Sequence, residues 1–488
     1  VVLWIISVIV LNVQGLKFFS FHNNRNRLLK LRSATAKTGV NILTGWINQK
    51  LDHFDAQETR TWKMRYFKRL EFWRKNGPIY LMIGDESTAH PGDISQGLIP
   101  EMAKETKGAL YISEHRYYGK SQPLKRRNIE AMKYLTTPQA LADNAKLIRK
   151  IKKNPGFERS KVVVIGASYA GNLAAWMKLV YPNLVDAAIA SSAPVVAKRD
   201  FYESLEVINN DYKKYGTPDC LENIRSLFQR YDSLFQTIEG IEKLRKEENI
   251  CEEVDLLKSE NKIIFFIAKM DPFFDVAQDG NIIDIHNHCT KLNGTSDMIN
   301  NLNATNVEKY WYENGTCNSY DFNIMIQSIR ENKNELSWTY QTCTEYGYFF
   351  STTSDNQPFA KNLPVEYSDK VCTVLFGASF DKNRVIEGTR KINQMYGGRS
   401  PNVTQVIFVN GEVDPWSSLS VLKDISPEAP AVYIPKATHC NDLLIDENEP
   451  QEIKKARTYM KYLIRKWISD PKPSLLNFNI TFTICRYC

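Results

Sequence analysis

The chain has 488 residues, of which 43% are apolar and 24% are charged, and its net charge is +8. These values are ordinary for a globular protein of about two to three domains, and they exclude a low-complexity chain. The basic residues are dispersed and form no recognisable nucleic-acid module, so no nucleic-acid partner is predicted.

The N-terminal segment begins with an apolar run. Residues 1–13 are too few to span a bilayer comfortably, but they suit the core of a signal peptide. We therefore predict a signal peptide over residues 1–15 and a basic, polar leader or pro-region over residues 16–45. No later segment has about eighteen uninterrupted apolar residues, so no membrane span is predicted.

The cysteines and sequons agree with entry into the secretory pathway. Nine cysteines show no paired Cys-x-x-Cys spacing, which favours disulfides plus at least one odd thiol over a metal site. Cys440 is a candidate for that thiol. Sequons predict surface glycosylation at Asn293, Asn303, Asn314, Asn402 and Asn479.

Short apolar runs bounded by turn residues predict strands in the first part of the chain. These runs cover residues 61–67, 77–84, 108–113, 162–165 and 187–194. A helical periodicity over residues 139–152 precedes the fourth run. Strands that alternate with helices predict a mostly parallel α/β sheet.

The pattern changes near Arg199. Residues 200–335 have amphipathic helical periodicity without convincing strands, which predicts a helical insertion over the sheet. Strand patterns return at residues 404–411 and 431–435, and a closing helix is predicted over residues 450–469. The predicted domains are an α/β core in two parts, 46–199 and 336–470, a helical insertion over 200–335, and a C-terminal tail over 471–488.

The stretch after the fourth predicted strand carries the strongest chemical signal. Ser168 stands at the junction between that strand and a helical pattern, within Gly-Ala-Ser-Tyr-Ala-Gly. The small residues Gly166, Ala170 and Gly171 leave room for a tight turn with the serine at its apex. This is the pattern of a nucleophile elbow in which alanine is the second small residue.

Two later residues complete a candidate catalytic set. A serine hydroxyl needs a neighbouring base, and the base needs an orienting carboxylate. In α/β-hydrolases these residues follow in the order Ser, Asp or Glu, His, each after a strand. Asp414 and His439 closely follow the two late strands, so we predict the triad Ser168–Asp414–His439. Glu412 and Asp442 are alternatives for the acid.

One histidine pair lies in the predicted insertion. His286 and His288 form a His-x-His pattern that could suggest a metal site. No third ligand is evident, so we interpret the pair as part of a surface loop and predict no metal.

Several long motifs resemble the serine peptidase family that includes lysosomal Pro-X carboxypeptidase, dipeptidyl peptidase II and thymus-specific serine protease. The motifs are Leu51-Asp-His-Phe54, Glu114-His-Arg-Tyr-Tyr-Gly-Lys-Ser121, Gly166-Ala-Ser-Tyr-Ala-Gly171, Trp338-Thr-Tyr-Gln-Thr-Cys-Thr-Glu345, Asn410-Gly-Glu-Val-Asp-Pro-Trp416 and Thr438-His-Cys440. The chain looks most like the thymus-specific branch. The resemblance implies an α/β-hydrolase core with a helical insertion, a peptide substrate, no cofactor, and an extracellular or lysosomal location. It leaves the oligomeric state open, with a homodimer among the alternatives.

The resemblance also implies roles for individual residues. It assigns nucleophile, acid and base to the three triad residues, and it suggests a disulfide between Cys343 and Cys372. The backbone N–H of Tyr169 is one expected oxyanion donor, and Asp85, in the loop after strand 77–84, is the other. This loop departs from the family pattern, because the chain has Gly-Asp-Glu-Ser where the family usually has Gly-Gly-Glu-Gly.

Two residues bear on substrate preference. Trp416 matches a tryptophan that contributes to an apolar proline pocket in relatives. Asn172 stands where Pro-X carboxypeptidase has methionine, and a polar amide weakens an apolar pocket. We therefore predict a peptidase with a relaxed proline preference, and an exopeptidase is the form that the family resemblance favours. A serine esterase or lipase on the same fold and a secreted, non-catalytic binding protein remain alternatives.

Overall fold

A computed structural model describes residues 40–292, 317–445 and 449–469. Its strands are β1 Leu43–Lys50, β2 Thr61–Arg69, β3 Ile79–Met82, β4 Ala109–Ser113, β5 Val162–Ala167, β6 Ala187–Ser191, β7 Lys198–Asp200, β8 Gly347–Phe349, β9 Val406–Gly411 and β10 Ala431–Ile434. Eight of them form one sheet in the order β1-β2-β4-β3-β5-β6-β9-β10, and β7 pairs with β8. In this sheet the two pairings of β2 are antiparallel and the other five are parallel, so the predicted mostly parallel α/β sheet is confirmed.

Both faces of the sheet are buried. On β5, Val162 and Val164 belong to one hydrophobic cluster, whereas Val163 and Ile165 belong to a second cluster on the opposite face. A parallel strand that is covered on both sides needs such an unbroken apolar run, because successive side chains point to opposite faces. The helices of this core are α1 Leu98–Thr106, α2 Ile129–Met132, α3 Thr137–Lys152 and α4 Tyr169–Val180, with the closing helix at Gln451–Ile468.

A long helical region lies between two neighbouring strands of the sheet. β6 ends at Ser191, and β9, which pairs with it, begins at Val406. The helices between them are α5 Glu203–Tyr215, α6 Cys220–Leu234, α7 Ile238–Glu247, α8 Ser259–Asp279, α9 Ile282–Leu292, α10 Phe322–Glu331, α11 Lys333–Gln341, α12 Glu366–Phe376 and α13 Lys382–Tyr396; the closing helix is α14. We call residues 203–396 the cap. The helical region thus continues beyond the predicted limit at residue 335, and the division into domains stays a prediction.

The first strand differs from the expectation for the N-terminal segment. β1 begins at Leu43, inside the predicted leader 16–45, and its N-terminal half is mostly exposed. Little apolar alternation therefore marks it in the sequence. The predicted signal peptide, most of the leader and the tail 471–488 lie outside the described residues. Within the three described ranges, no helix is long and apolar enough to cross a bilayer.

Three disulfides constrain the cap and its surroundings. They join Cys220 to Cys289, Cys251 to Cys317, and Cys343 to Cys372, the last being the pair that the family resemblance suggested. The thiol of Cys440 is free and buried. Glu253 lies close enough to Cys251 and Cys317 for the three to hold a metal, but the disulfide removes the thiolates that such a site would need.

The interpretation of the His-x-His pair as a surface loop is wrong. His286 and His288 lie on α9, and His288 is buried. Its Nδ1 forms a hydrogen bond with the Tyr212 hydroxyl at 2.7 Å, and its ring stacks on Phe273. Burial lowers the pKa of His288 to about 4, as expected for a neutral core histidine.

Two of the motifs shared with the family meet at one buried carboxylate. Asp143 on α3 accepts two hydrogen bonds from the fully buried Arg116 guanidinium, at 2.7 and 3.0 Å. Its Oδ1 also lies 2.7 Å from Nε2 of His53. Removal of one partner from such a network typically costs about 3–5 kcal/mol. Arg116 and His53 belong to two different motifs. Their shared contact with Asp143 holds the segment after β1 and the segment after β4 against α3.

Candidate active site

Ser168 occupies a strained turn between β5 and α4. Its backbone has φ 55° and ψ −126°, which is uncommon for a residue other than glycine. A Cβ atom at Gly166 would lie 1.8 Å from the carbonyl oxygen of Ala170, and one at Gly171 would lie 2.8 Å from that of Ser191. The close approach of the helix to the strand therefore requires the two glycines. This geometry is that of the predicted nucleophile elbow.

Asp414 and His439 lie together beyond the ends of β9 and β10. Nδ1 of His439 is 2.9 Å from Oδ1 of Asp414, and the two side chains are only 3% and 0% exposed. The same Asp414 oxygen accepts the backbone N–H of Trp416 at 2.9 Å. These contacts fix the carboxylate and, through it, the Nδ1 side of the imidazole.

The other two candidate acids contact different partners. Glu412 accepts hydrogen bonds from the Tyr215 hydroxyl and from the backbone N–H of Lys436, both at 2.8 Å. Asp442 accepts a hydrogen bond from the Ser191 hydroxyl. Of the three acids considered from the sequence, Asp414 is therefore the one that is hydrogen-bonded to the histidine.

The electrostatics of this pair favour a protonated imidazole. Burial by itself lowers the pKa of His439, but the Asp414 carboxylate opposes it, and the net pKa is raised well above the usual value. An imidazolium is the form that a histidine base adopts after it has taken a proton. The pair is thus suited to general base catalysis.

Neighbouring strand ends bring the elbow and the histidine loop to the same edge of the sheet. The N–H of Ser168 donates to the carbonyl oxygen of Ser191 at 2.9 Å. The N–H of Cys440, next to His439, donates to the hydroxyl of Ser192, also at 2.9 Å. Residues 191 and 192 therefore connect the main chain of the elbow with the main chain of the histidine loop.

Tyr169, the first expected oxyanion donor, is the first residue of α4. Helix geometry gives its N–H no partner within the helix. Its hydroxyl is hydrogen-bonded to Gln341 Nε2 at 2.9 Å and to His115 Nε2 at 3.0 Å. The side chain is thus anchored on both the cap and the core.

Asp85 lies in the loop after β3, where the chain lacks two glycines of the family pattern. Its carboxylate accepts hydrogen bonds from the N–H and the hydroxyl of Ser87. Neither residue has a positive φ. The loop therefore forms without the conformations that favour glycine, and a local side-chain turn stabilises it.

Glu86, in the same loop, is a buried carboxyl group without a predicted role. Its Oε2 has no hydrogen-bond partner. Burial, together with the charge of Asp85, raises the pKa of Glu86 to about 8, and a positive charge on His439 opposes this rise. Glu86 is therefore close enough to the candidate base to interact with it electrostatically.

The raised pKa of Glu86 predicts a pH-dependent stability. The folded chain keeps this proton between about pH 4.3 and pH 8, where the unfolded chain loses it, so the free energy of unfolding falls as pH rises through this interval. Glu86→Gln removes the titration, and the variant should gain roughly 2 kcal/mol or more over the wild type between pH 5 and pH 8.

Chemical denaturation at several pH values measures this gain. Glu130→Gln is the matched control, because the Glu130 side chain is 82% exposed and its substitution should leave the slope of stability against pH unchanged. Equal slopes for the wild type and Glu86→Gln would contradict the prediction.

The two predicted specificity residues meet at Tyr348. Nδ2 of Asn172 donates to the Tyr348 hydroxyl at 3.2 Å and to the Pro194 carbonyl at 3.1 Å, whereas its Oδ1 has no partner. The ring of Trp416 packs edge-on against Tyr348, with 5.5 Å between centroids. An apolar cavity of about 110 Å³ lies beside Tyr348 and Phe350. Neither Asn172 nor Trp416 lines this cavity.

The chain is similar to several known proteins over most of its length. The lysosomal Pro-X carboxypeptidase of Bos taurus is 31% identical over 87% of this chain and 88% of its own length. The thymus-specific serine protease of Mus musculus is 30% identical over 88% of each chain. Among solved structures, the carboxylesterase EstE1, cloned from a metagenomic library, is 10% identical with a TM-score of 0.39, over 91% of this chain and 97% of its own. The profile of the serine carboxypeptidase S28 family matches residues 49–460, and the chain belongs to this family of serine peptidases.

Proposed function

We propose that this serine peptidase cleaves peptide bonds through Ser168, with His439 as general base and Asp414 as the acid that orients it. The observation that supports this most strongly is the strained elbow at Ser168 beside a buried Asp414–His439 hydrogen bond. A serine, an aspartate and a histidine that follow three strands in this order form the catalytic set of α/β-hydrolases.

The proposed reaction has two steps. His439 takes the proton of Ser168 Oγ as that oxygen attacks the scissile carbonyl, and the backbone N–H groups of Tyr169 and Asp85 stabilise the oxyanion. The C–N bond then breaks, the imidazolium gives its proton to the leaving amine, and an ester to Ser168 remains. Water, activated by the same histidine, hydrolyses this ester and regenerates the hydroxyl.

We also propose an exopeptidase of the secretory pathway, either extracellular or lysosomal. Three disulfides support an oxidising compartment. Asn402, the one predicted glycosylation site among the described residues, is exposed; Asn293, Asn303, Asn314 and Asn479 lie outside them. Two similar proteins are named a lysosomal Pro-X carboxypeptidase and a thymus-specific serine protease.

A relaxed proline preference follows from the surroundings of Asn172. The buried amide of Asn172, whose oxygen has no partner, places a polar group against Tyr348 one helical turn after Ser168. Such a group disfavours an apolar ring packed against it by about 1–3 kcal/mol. The chain should therefore accept both proline and alanine at the residue that donates the scissile carbonyl.

Peptides with one, both or neither terminus blocked test the exopeptidase proposal, and matched esters test the preference for amides. We expect cleavage to require one free terminus, and efficient cleavage of doubly blocked peptides would contradict this.

The proline preference is measured as the ratio of kcat/KM for proline to kcat/KM for alanine at the residue that donates the scissile carbonyl. We expect this ratio to stay below about a thousand in the wild type and to rise about tenfold in Asn172→Leu.

Asn144→Leu is the matched control for the second measurement. Asn144 is also a buried helical amide whose oxygen has no partner, but it lies on α3, away from Tyr348. Its substitution should leave the proline-to-alanine ratio unchanged. An unchanged ratio in Asn172→Leu, or an equal rise in both variants, would rule out the assigned role of Asn172.

A further inference from the structure

The C-terminal end of the cap helix α8 lies against both loops that carry the candidate acid and base. The main-chain oxygen of Gln278 accepts the N–H of His439 at 3.1 Å. The side-chain Oε1 of Gln278 accepts the indole N–H of Trp416 at 2.8 Å. Gly280 directly follows the last residue of α8, and its main-chain oxygen accepts a hydrogen bond from the Thr438 hydroxyl at 3.1 Å.

These bonds form a closed ring with the catalytic pair. His439 is bonded to Oδ1 of Asp414, and the same oxygen accepts the N–H of Trp416. The indole of Trp416 then returns to Gln278, whose main chain holds His439. Gln278 is only 3% exposed, so no water competes freely for these bonds.

The end of a helix also acts electrostatically. The last carbonyl groups of a helix have no partner within it and carry a partial negative charge, which stabilises a nearby cation. Here the carbonyl of Gln278, in the last turn of α8, meets the backbone of His439. The helix end therefore favours the imidazolium that forms when His439 takes the proton of the serine.

We propose that Gln278 is a positioning residue of the reaction: from the cap it completes this ring of hydrogen bonds and fixes the loop of Asp414 relative to the loop of His439. The inference rests on the proposed roles of Asp414 and His439. It makes the docked cap a requirement for an ordered catalytic pair, although the cap supplies neither the nucleophile nor the base.

A second contact between cap and core provides a comparison. Lys214 and Tyr215 on α5 bind the carboxylate of Glu412. This contact joins the same two parts of the protein, but its partner is not a member of the ring. Lys214→Met therefore tests cap docking in general, whereas variants of Gln278 test the ring.

Steady-state kinetics of Gln278→Leu across pH tests the proposal. The variant removes the acceptor for the indole, and a displaced pair should lower kcat by about 10- to 100-fold with little change in KM. The acid limb of kcat/KM should move to lower pH by up to about one unit, because a looser pair stabilises the imidazolium less. Asp414, Cys440, Glu86 and Asp442 are the titratable groups that act on the imidazole, and the variant changes none of them. Gln278→Glu keeps an acceptor oxygen and should retain kcat within a few-fold.

A double-mutant cycle with Trp416→Phe separates positioning from simple loss of packing. The phenylalanine lacks the indole N–H, so the double variant should be no slower than the slower single variant. Additive losses of kcat in the double variant would overturn the proposal. It would also be overturned if kcat and the acid limb of kcat/KM in Gln278→Leu matched those of the wild type or of Lys214→Met. If Gln278→Leu does not fold, Trp416→Phe alone must show the same losses.

Asp414→Asn, assayed beside these variants, separates this inference from the proposed function. An impaired Asp414→Asn with an unimpaired Gln278→Leu rejects the role of Gln278 alone. An unimpaired Asp414→Asn rejects the assigned catalytic pair, and the role of Gln278 with it.

Discussion

Ser168→Ala should lower kcat by about 10⁵- to 10⁶-fold and abolish labelling by a fluorophosphonate probe. The substitution removes one oxygen, and the backbone conformation at φ 55° is no harder for alanine to adopt than for serine. Folding should therefore be retained, with an unchanged midpoint of denaturation. A residual rate above that of the uncatalysed reaction should persist, because the oxyanion donors and the binding surface remain.

Ser192→Ala is the matched control for this loss. Ser192 is also buried, has φ 47° and lies at the end of the neighbouring strand, but its hydroxyl already accepts the N–H of Cys440. This variant should still be labelled, with at most about a tenfold loss of turnover. Near-normal turnover in a folded, uncontaminated Ser168→Ala sample, or loss of labelling in Ser192→Ala instead, would exclude Ser168 as the nucleophile.

The features that could be predicted from the sequence are those with a local signal. The apolar run of β5 and the small residues around Ser168 mark a strand and a tight turn within about ten residues of chain. Asp414 and His439 each follow a recognisable strand, and the order of the fold then brings them together. The closing helix is likewise predicted within one residue at each end, because its apolar face repeats at helical spacing.

The features that were missed depend on contacts between distant parts of the chain. Gln278 contacts Trp416 across 138 residues of sequence, and nothing within α8 distinguishes this glutamine from a surface residue. The surface interpretation fails for His288, because only its contact with Tyr212 shows that α9 turns this residue inward. The raised pKa of Glu86 is likewise a result of tertiary burial.

The position of the cap follows from the topology of the sheet. β6 and β9 are parallel neighbours in the sheet, so β9 begins at the edge opposite to the one where β6 ends, and the inserted chain leaves the sheet from its carboxyl edge. Ligand sites of open α/β sheets lie at this edge. A region inserted there must lie close to the site, and the contacts of Gln278 with His439 and Trp416 are what such an insertion makes possible.

Asp414→Asn should lower kcat/KM by about 10³- to 10⁴-fold at neutral pH. His439 Nδ1 and the N–H of Trp416 both contact Oδ1 of Asp414, whereas Oδ2 has no partner. An amide oxygen can therefore replace Oδ1 and keep both hydrogen bonds, so that the variant loses mainly the charge. Asp414→Ala, which leaves both donors without an acceptor, should lose more activity and also unfold more easily.

The pH profile of Asp414→Asn identifies the charge as the cause. The Asp414 carboxylate raises the pKa of His439, so its removal lowers that pKa, and the acid limb of kcat/KM should move to lower pH. Glu412→Gln is the matched control, since Glu412 lies two residues earlier but binds Lys214 and Tyr215 instead of the histidine. Its acid limb should stay in place, with activity within a few-fold of the wild type. If the limb moves in Glu412→Gln and stays fixed in Asp414→Asn, Asp414 is not the acid that orients His439.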